Sequence, residues 1–278
     1  MQANNGTIFE IQGVSFAYDD KVKALDQISL MIQAGERIAI LGSNGSGKST
    51  LLKVMDGLYF PTSGEARAFG QLLTEQAFRD DGFNFAFRRR VGLVFQDSDV
   101  QLFSPSVWDD VAFAPLQLGL SREEVLARVN AALAALRIEK LRDRAPHRLS
   151  GGEKKRVALA SVLSLNPDVW LMDEPTAGLD PRSQSWLVDF LIEQGRAGKT
   201  VVTATHDLTI VDSIADRVYV LNEDHRVVAQ GTPDEVLSNR DLLIECNLMH
   251  EHLHWHKDMG EEHSHPHIHL PSHEHAVN

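Results

Sequence analysis

Three features are scarce in this sequence of 278 residues: cysteine, long apolar runs and basic charge. The single cysteine, Cys246, has no partner for an internal disulfide, which fits a reducing compartment. No run of about 20 uncharged apolar residues occurs, so we expect no membrane-spanning helix. The first residues, from Met1 to Gly6, lack the basic start and the apolar run of a signal peptide. These absences predict a cytoplasmic chain, which must dock onto other subunits if it works at a membrane.

The deficit of basic residues also bears on partners. The net charge is -12, with 39 acidic against 27 basic residues. A nucleic-acid binder neutralises phosphates with lysine and arginine, so this charge argues against nucleic acid as a partner. Hydrophobic residues make up 43% and charged residues 24%, as in an ordinary soluble globular protein. We therefore predict one large domain over residues 1–248, followed by a compositionally distinct tail over 249–278.

Residues 1–248 show alternating strand and helix patterns. We predict strands at 8–18 and 25–32, with a turn at Asp19-Asp20, and buried strands at 37–41, 91–95, 169–172, 200–205 and 217–221. Helices are predicted from residue 49 to about 55, within 106–147, and at 181–194 and 208–214. Capping boxes are predicted at Ser121 and at Thr232. Charged residues in 74–90 are interpreted as a solvated face. This alternation predicts a parallel sheet covered by helices.

A glycine-rich loop with a lysine follows the third predicted strand and precedes a helix, as in a P-loop. Such a loop points backbone N–H groups and a helix N-terminus at phosphates. Lys48 would bind the β- and γ-phosphates, and the Ser49 hydroxyl would ligate Mg²⁺. The predicted nucleotide-binding residues of the loop are Gly42, Ser43, Asn44, Gly45, Ser46, Gly47, Lys48, Ser49 and Thr50.

Two acids end the apolar strand at 169–172. Carboxylates at a buried strand end are costly unless a cation or a proton transfer requires them. Asp173 would hold Mg²⁺, and Glu174 would act as general base on the attacking water. Without the P-loop, these two acids could equally be the solvated end of a strand. The presence of the P-loop favours the catalytic interpretation.

Five motifs in order resemble those of ABC ATPases. Between the P-loop and the acidic strand lies Leu149-Ser150-Gly151-Gly152-Glu153, and after that strand come 175–180, with the sequence Pro-Thr-Ala-Gly-Leu-Asp, and then His206. The resemblance spans about 8–248, with Glu153 standing where the commonest signature has glutamine. It implies an α/β P-loop ABC ATPase core that hydrolyses ATP with Mg²⁺, an N-terminal antiparallel β subdomain, an inserted helical subdomain at about 97–164, and the His-rich tail.

The resemblance also implies roles for single residues. Tyr18 matches the aromatic residue that stacks on adenine. The alternative interpretation is that Tyr18 is an ordinary half-buried aromatic residue of a strand. Gln96 matches the glutamine that touches Mg²⁺ or the attacking water and senses the membrane subunit. His206 matches the histidine that contacts the γ-phosphate. Ser150, Gly151 and Gly152 would cap the γ-phosphate of a second ATPase subunit, identical or different, so that two sites form at a dimer interface.

The segment from Val94 to Val107 indicates a subfamily within the ABC ATPases. Its sequence Val-Phe-Gln-Asp-Ser-Asp-Val-Gln-Leu-Phe is similar to that of the ATPases of energy-coupling-factor importers, although Ser98 replaces an expected proline. Those importers take up vitamins, nickel or cobalt. The resemblance implies integral membrane partners, namely a coupling protein and a substrate-binding component, and a place on the cytoplasmic face of the membrane.

Histidine is concentrated in the tail, which we predict to be disordered. Ten of the 13 histidines lie there, and most alternate with other residues, so neighbouring imidazoles fall on one side of an extended chain. Imidazole suits Ni²⁺ and Co²⁺, whereas an inert polar tail or a purification tag is the alternative. The predicted transition-metal ligands are His250, His252, His254, His256, His263, His265, His267, His269, His273 and His275.

Together these observations predict the ATPase subunit of an energy-coupling-factor importer for nickel or cobalt. The alternatives are a vitamin importer whose tail buffers metal, a soluble ABC ATPase without a transport role, and a metal-storage protein regulated by nucleotide. The complete set of Gln96, Glu174 and His206 argues against storage. The affinity order of divalent metals depends little on the site, so the tail does not identify the transported ion.

Overall fold

The computed structural model describes residues 6–19, 21–258 and 261–269, and of residues 250–258 and 261–269 it describes the backbone. A four-stranded antiparallel sheet lies at the N-terminal side, in the order β2-β1-β4-β5. Its strands are β1 (Thr7–Tyr18), β2 (Val22–Gln33), β4 (Ser63–Ala68) and β5 (Gln71–Leu72). The first two match the prediction, β4 and β5 were not predicted, and Asp20 of the predicted turn lies outside the described residues.

The central sheet has six strands in the order β10-β9-β3-β8-β7-β6. All neighbours are parallel except β10 and β9. Its strands are β3 (Arg37–Gly42), β6 (Val91–Val94), β7 (Val169–Asp173), β8 (Thr200–Thr205), β9 (Arg217–Leu221) and β10 (Val227–Gly231). β3, β7 and β8 are almost fully buried, as their continuous apolar runs predict. The predicted parallel sheet is thereby confirmed.

Within the described ranges, ten helices connect and cover these sheets. They are α1 (Lys48–Met55), α2 (Glu75–Phe78), α3 (Asp81–Arg88), α4 (Val107–Gln117), α5 (Arg122–Ala135), α6 (Gly151–Leu163), α7 (Pro181–Arg196), α8 (Leu208–Ile214), α9 (Pro233–Leu237) and α10 (Arg240–Glu245). Three short 3₁₀ turns span Ser98–Val100, Glu139–Leu141 and Pro146–Arg148. The predicted capping boxes at Ser121 and Thr232 are present, and a third caps α6 at Ser150.

Two apolar cores result. One packs the antiparallel sheet and α1 against one face of the central sheet, and the other joins α4–α8 to the opposite face. Leu248 and Met249 are still buried in the second core. The domain boundary after residue 248 and the limits of the helical subdomain stay predictions.

The tail backbone forms a two-stranded antiparallel ribbon of β11 (His250–Asp258) and β12 (Glu261–His269). This differs from the predicted disorder, and the alternation of histidine with other residues suits an extended strand. The register opposes His250 to His269, His252 to His267, His254 to His265 and His256 to His263. His273 and His275 lie outside the described residues.

The segment 74–90 is not simply the solvated face that its charges suggest. Arg88, at the end of α3, donates from Nη1 to the backbone oxygen and to Oδ2 of Asp56, both at 2.8 Å. Asp56 caps the C-terminal end of α1 and is buried. Burial raises the pKa of Asp56 to about 6, and the Arg88 guanidinium opposes that rise. The interpretation was therefore wrong for Arg88, which pairs with a buried acid at the C-terminal end of α1.

We expect Arg88→Met to lower the free energy of unfolding by about 2 kcal/mol at pH 8, because it leaves the Asp56 carboxylate buried and unpaired. A buried acid whose folded-state pKa lies above its usual value favours folding at low pH. That contribution is lost as pH rises through about 6. The defect should therefore be smaller at pH 5. Urea unfolding at both pH values measures it, with Arg89→Met, an exposed neighbour, as control. Equal defects at the two pH values would contradict the assignment.

Candidate nucleotide site

The loop between β3 and α1 is curled tightly enough to require glycine. Gly47 has φ 105° and caps α1, and a Cβ there would lie 2.2 Å from the backbone oxygen of Ala24. Gly45 has φ 87°, and a Cβ there would meet nothing within 4 Å, so this side of the loop is open. Both values lie in the left-handed region that glycine adopts without strain.

The chemistry of the loop fits a bound phosphate chain. The hydroxyl oxygens of Ser43 and Ser46 are buried and have no hydrogen-bond partner among the described residues. Buried polar atoms are normally satisfied, so these two indicate a ligand with oxygen acceptors. The N-terminus of α1 lies at the same loop and favours an anion.

Lys48 and Glu174 form a buried ion pair beneath the loop. The Lys48 ammonium donates to the backbone oxygens of Gly42 and Ser43, at 2.8 and 3.0 Å, and lies 3.2 Å from Oε1 of Glu174. The same carboxylate oxygen is 2.9 Å from Nδ1 of His206, whose ring is about half exposed. One carboxylate oxygen therefore links the loop lysine to the histidine after β8.

The backbone of Glu174 is strained. Its φ of 41° lies in the left-handed region, where a side chain costs about 1–2 kcal/mol. A hydrogen bond from its N–H to the backbone oxygen of Ala204, at 2.9 Å, holds it there. Strain of this kind concentrates at functional sites.

The neighbouring acid fits a hard cation. The Ser49 hydroxyl donates to Oδ1 of Asp173 at 2.8 Å, which brings two predicted Mg²⁺ ligands together. Burial raises the pKa of Asp173, so a nearby cation would stabilise its ionised form. Hydroxyl and carboxylate oxygens are the ligands that Mg²⁺ prefers. The residues present therefore fit Mg²⁺ bound together with nucleotide phosphates.

Lys48, Ser49 and Glu174 line a cavity of about 530 Å³, whereas Gly42, Ser43, Ser46, Asp173 and His206 are not in its lining. Tyr18 lies in its wall, where its hydroxyl is 2.9 Å from Oγ1 of Thr50 and its ring stands edge-on to those of Phe16 and Tyr59. The complete lining is Tyr18, Val22, Lys23, Ala24, Asn44, Gly45, Gly47, Lys48, Ser49, Thr50, Gln96, Glu174 and His225. Val22, Lys23, Ala24 and His225 were not predicted, because no motif includes them.

The predicted signature residues stand apart from this cavity. Ser150, Gly151 and Gly152 are not in its lining, although they begin α6. A Cβ on Gly151 would meet nothing within 4 Å, so the N-terminus of α6 faces open space. The chain thus carries one phosphate-binding loop and a second glycine-led helix N-terminus that this loop does not use.

Sequence reasoning missed the ties between α6 and the segment 95–101. Lys155 is buried and donates to the backbone oxygens of Phe95 and Gln96, at 3.1 and 2.8 Å. Burial lowers the pKa of Lys155 to about 8. Nε2 of Gln101 donates to the backbone oxygen of Ala158 at 2.9 Å. A lysine on the inward face of α6 was the only available signal, and these three hydrogen bonds connect the segment 95–101, which includes Gln96, to that helix.

None of the helices in the described residues combines the length and apolarity needed to cross a membrane. Where side chains are described, no three histidine, cysteine, aspartate or glutamate residues are grouped so as to hold a metal ion.

Comparison with known proteins agrees with this geometry. A family model for the ABC transporter matches residues 25–177. The nickel import ATP-binding protein NikO of Rhodobacter capsulatus is 52% identical over 244 residues, which cover 87% of this chain and 95% of that protein. The energy-coupling factor transporter ATP-binding protein EcfA of Carboxydothermus hydrogenoformans is 46% identical, with 86% of each chain covered.

Among solved structures, cbiO1 from Clostridium perfringens, part of the ABC transporter complex cbiONQ, is 40% identical with a TM-score of 0.74. The match covers 87% of this chain and 95% of that chain. The predicted family and the predicted α/β ABC ATPase core are therefore confirmed. The chain belongs to the ABC transporter ATP-binding family, and it is an ATPase.

Proposed function

We propose that the chain is the ATP-hydrolysing subunit of an energy-coupling-factor importer for nickel or cobalt ions. The proposed transported ion is supported by the 52% identity to a nickel import protein over 95% of that protein's length. The assembled nucleotide site supports the ATP-hydrolysing role.

The site supports a defined assignment of roles. Bound Mg²⁺ would neutralise charge on the phosphates, held by Ser49, Asp173 and Gln96. Lys48 binds the β- and γ-phosphates, and Glu174 takes a proton from the attacking water. His206, hydrogen bonded to Glu174, contacts the γ-phosphate and orients that base.

The working unit is a dimer of ATPase subunits. The P-loop cavity lacks the signature residues, whereas the open N-terminus of α6 has no phosphate of its own. Each helix N-terminus therefore caps the nucleotide of the other subunit, through Ser150, Gly151 and Gly152. This arrangement works with an identical or a related second subunit.

An apolar cleft beside Gln96 is the proposed docking place for the membrane component. The cleft measures about 440 Å³ and lies between the central sheet and helices α4 and α6. Leu58, Phe103 and Phe113 line it and are exposed by 43%, 69% and 44%. Large exposed apolar side chains around one cleft mark an interaction surface. A short helix of the transmembrane coupling protein fits this place, so the ATPase lies on the cytoplasmic face of the membrane.

The tail is the proposed metal-binding element. Opposed residues of an antiparallel ribbon share a face, so the register puts eight histidine positions on one face of β11 and β12. Imidazole nitrogens are ligands for Ni²⁺ and Co²⁺. The tail would hold ions at the cytoplasmic end of the transporter, outside the transport pathway itself.

We expect a chain ending at Leu248 to lose most of its nickel binding in equilibrium dialysis, because it lacks the ten tail histidines. A matched variant keeps the histidines and replaces the tail glutamates Glu251, Glu261, Glu262 and Glu274 by glutamine. That variant should bind almost as much nickel as the intact chain. If the shortened chain binds as much nickel as the intact chain, the tail is not the metal-binding element.

The decisive experiment for the cargo is uptake of labelled nickel and cobalt, with a vitamin control, in cells carrying the intact chain or Glu174→Gln. Loss of uptake of one metal in the variant supports the proposal. Loss of vitamin uptake alone would show an importer with a different cargo. Unchanged uptake of all three, together with recovery of the protein without any membrane partner, would rule out this importer function.

A further inference from the structure

His225 stands in the wall of the nucleotide cavity although no motif includes it. It lies in the turn between β9 and β10, and β9 ends at Leu221, whose sheet partner on β3 is Gly42. The turn therefore leaves the sheet beside the start of the glycine-rich loop. Asn44 and Gly45 of that loop line the same cavity.

The backbone of His225 is in a conformation that glycine adopts at a lower cost in free energy. Its φ is 63°, in the left-handed region, where a residue with a Cβ costs about 1–2 kcal/mol. Asparagine, aspartate and histidine tolerate this region better than other side chains, but glycine carries no penalty. A histidine at such a turn position indicates that the side chain has a use that offsets the strain.

The turn is fixed while one ring nitrogen is unsatisfied. The backbone oxygen of His225 accepts from the N–H of Asp26 at 2.9 Å, and the next residue, Arg226, pairs with the Asp26 carboxylate at 2.6 Å. Nδ1 of His225 is buried and has no hydrogen-bond partner among the described residues. Buried polar atoms are normally satisfied, so this nitrogen is free to take a hydrogen-bond partner.

We propose that the imidazole of His225 contacts the ribose and phosphate part of the bound nucleotide. Tyr18, the predicted adenine contact, is anchored to Thr50 on helix α1. His225 instead lines the same cavity as Asn44 and Gly45 of the loop that receives the phosphates. An imidazole N–H donates well to ribose hydroxyl or phosphate oxygens, and the backbone that carries this ring is already fixed by the bond to Asp26.

The test is ATP binding to the full chain carrying His225→Gly, measured with a fluorescent ATP analogue without Mg²⁺ so that hydrolysis does not interfere. We expect the Kd to rise about three- to tenfold, the value of one hydrogen bond. The thermal midpoint should rise, because glycine relieves the left-handed backbone. His225→Asn tolerates the same backbone with a shorter polar side chain, and should lose less affinity.

Asn166→Gly is the matched control. Asn166 has φ 54°, is exposed and lies at the C-terminal end of α6, outside the cavity lining. It should gain stability in the same way with an unchanged Kd. The proposal predicts equal losses for ATP and GTP analogues in His225→Gly. An unchanged Kd would overturn it, and so would a loss confined to the preference between the two bases.

Discussion

Glu174→Gln is expected to reduce ATP hydrolysis by about 10²–10⁴-fold while leaving the chain folded and able to bind nucleotide. Glutamine keeps the size of the side chain and one oxygen, so contacts with Lys48 and His206 can persist. It cannot accept a proton from the attacking water. Phosphate release and nucleotide binding, measured on the same preparation, separate the two effects.

Glu123→Gln is a suitable control for that substitution. Glu123 is an exposed acid in the first turn of α5, and its loss removes the same charge far from the cavity. It should keep nearly full activity. If Glu174→Gln keeps more than about a tenth of the hydrolysis rate, another group acts as the base.

Gly151→Asp is expected to reduce hydrolysis by at least about a hundredfold, through the second nucleotide of the dimer. The site has room for a side chain, so the change should not disturb α6. Within the monomer an acid at this position even favours the helix N-terminus. At the dimer interface its charge would repel the γ-phosphate that the same N-terminus attracts in the intact protein.

Arg122→Asp provides a control with the same local chemistry. Both positions are the first residue of a helix with a serine–glutamate capping box, in α5 and in α6. Only the α6 position is proposed to meet a partner's nucleotide.

ATP should also drive dimerisation of Glu174→Gln, seen by size-exclusion chromatography, but not of the double variant with Gly151→Asp. Full activity of Gly151→Asp would contradict the shared site.

Much of the fold and the site could be predicted because it depends on local sequence patterns. The buried strands β3, β7 and β8 follow from continuous apolar runs, and the starts of α5 and α9 follow from capping boxes. The glycine-rich loop is recognisable because its glycines and its lysine lie next to each other in the sequence. Asp173 and Ser49 are 124 positions apart, yet the motifs assigned both to Mg²⁺, and the structure brings them within 2.8 Å of each other.

The remainder depends on contacts between distant segments. The charge on Arg88 could not be distinguished from a solvated charge, because its partner Asp56 lies 32 positions away. The buried role of Lys155 depends on the fold of segment 95–101 against α6. The strain at Glu174 and at His225 is set by tertiary hydrogen bonds and leaves no pattern in the sequence. The roles of the individual site residues stay predictions until the variants are measured.

The hydrogen bonds between α6 and segment 95–101 have one further consequence. In the proposed dimer, Gln96 serves the nucleotide of its own subunit, whereas the N-terminus of α6 serves the nucleotide of the other. Lys155 and Gln101 connect α6 to segment 95–101, so we expect these two elements to move together. The docking cleft lies beside both of them. A single displacement of the membrane component would then reach both nucleotides at once, so the two ATP molecules sense the state of the transporter in synchrony.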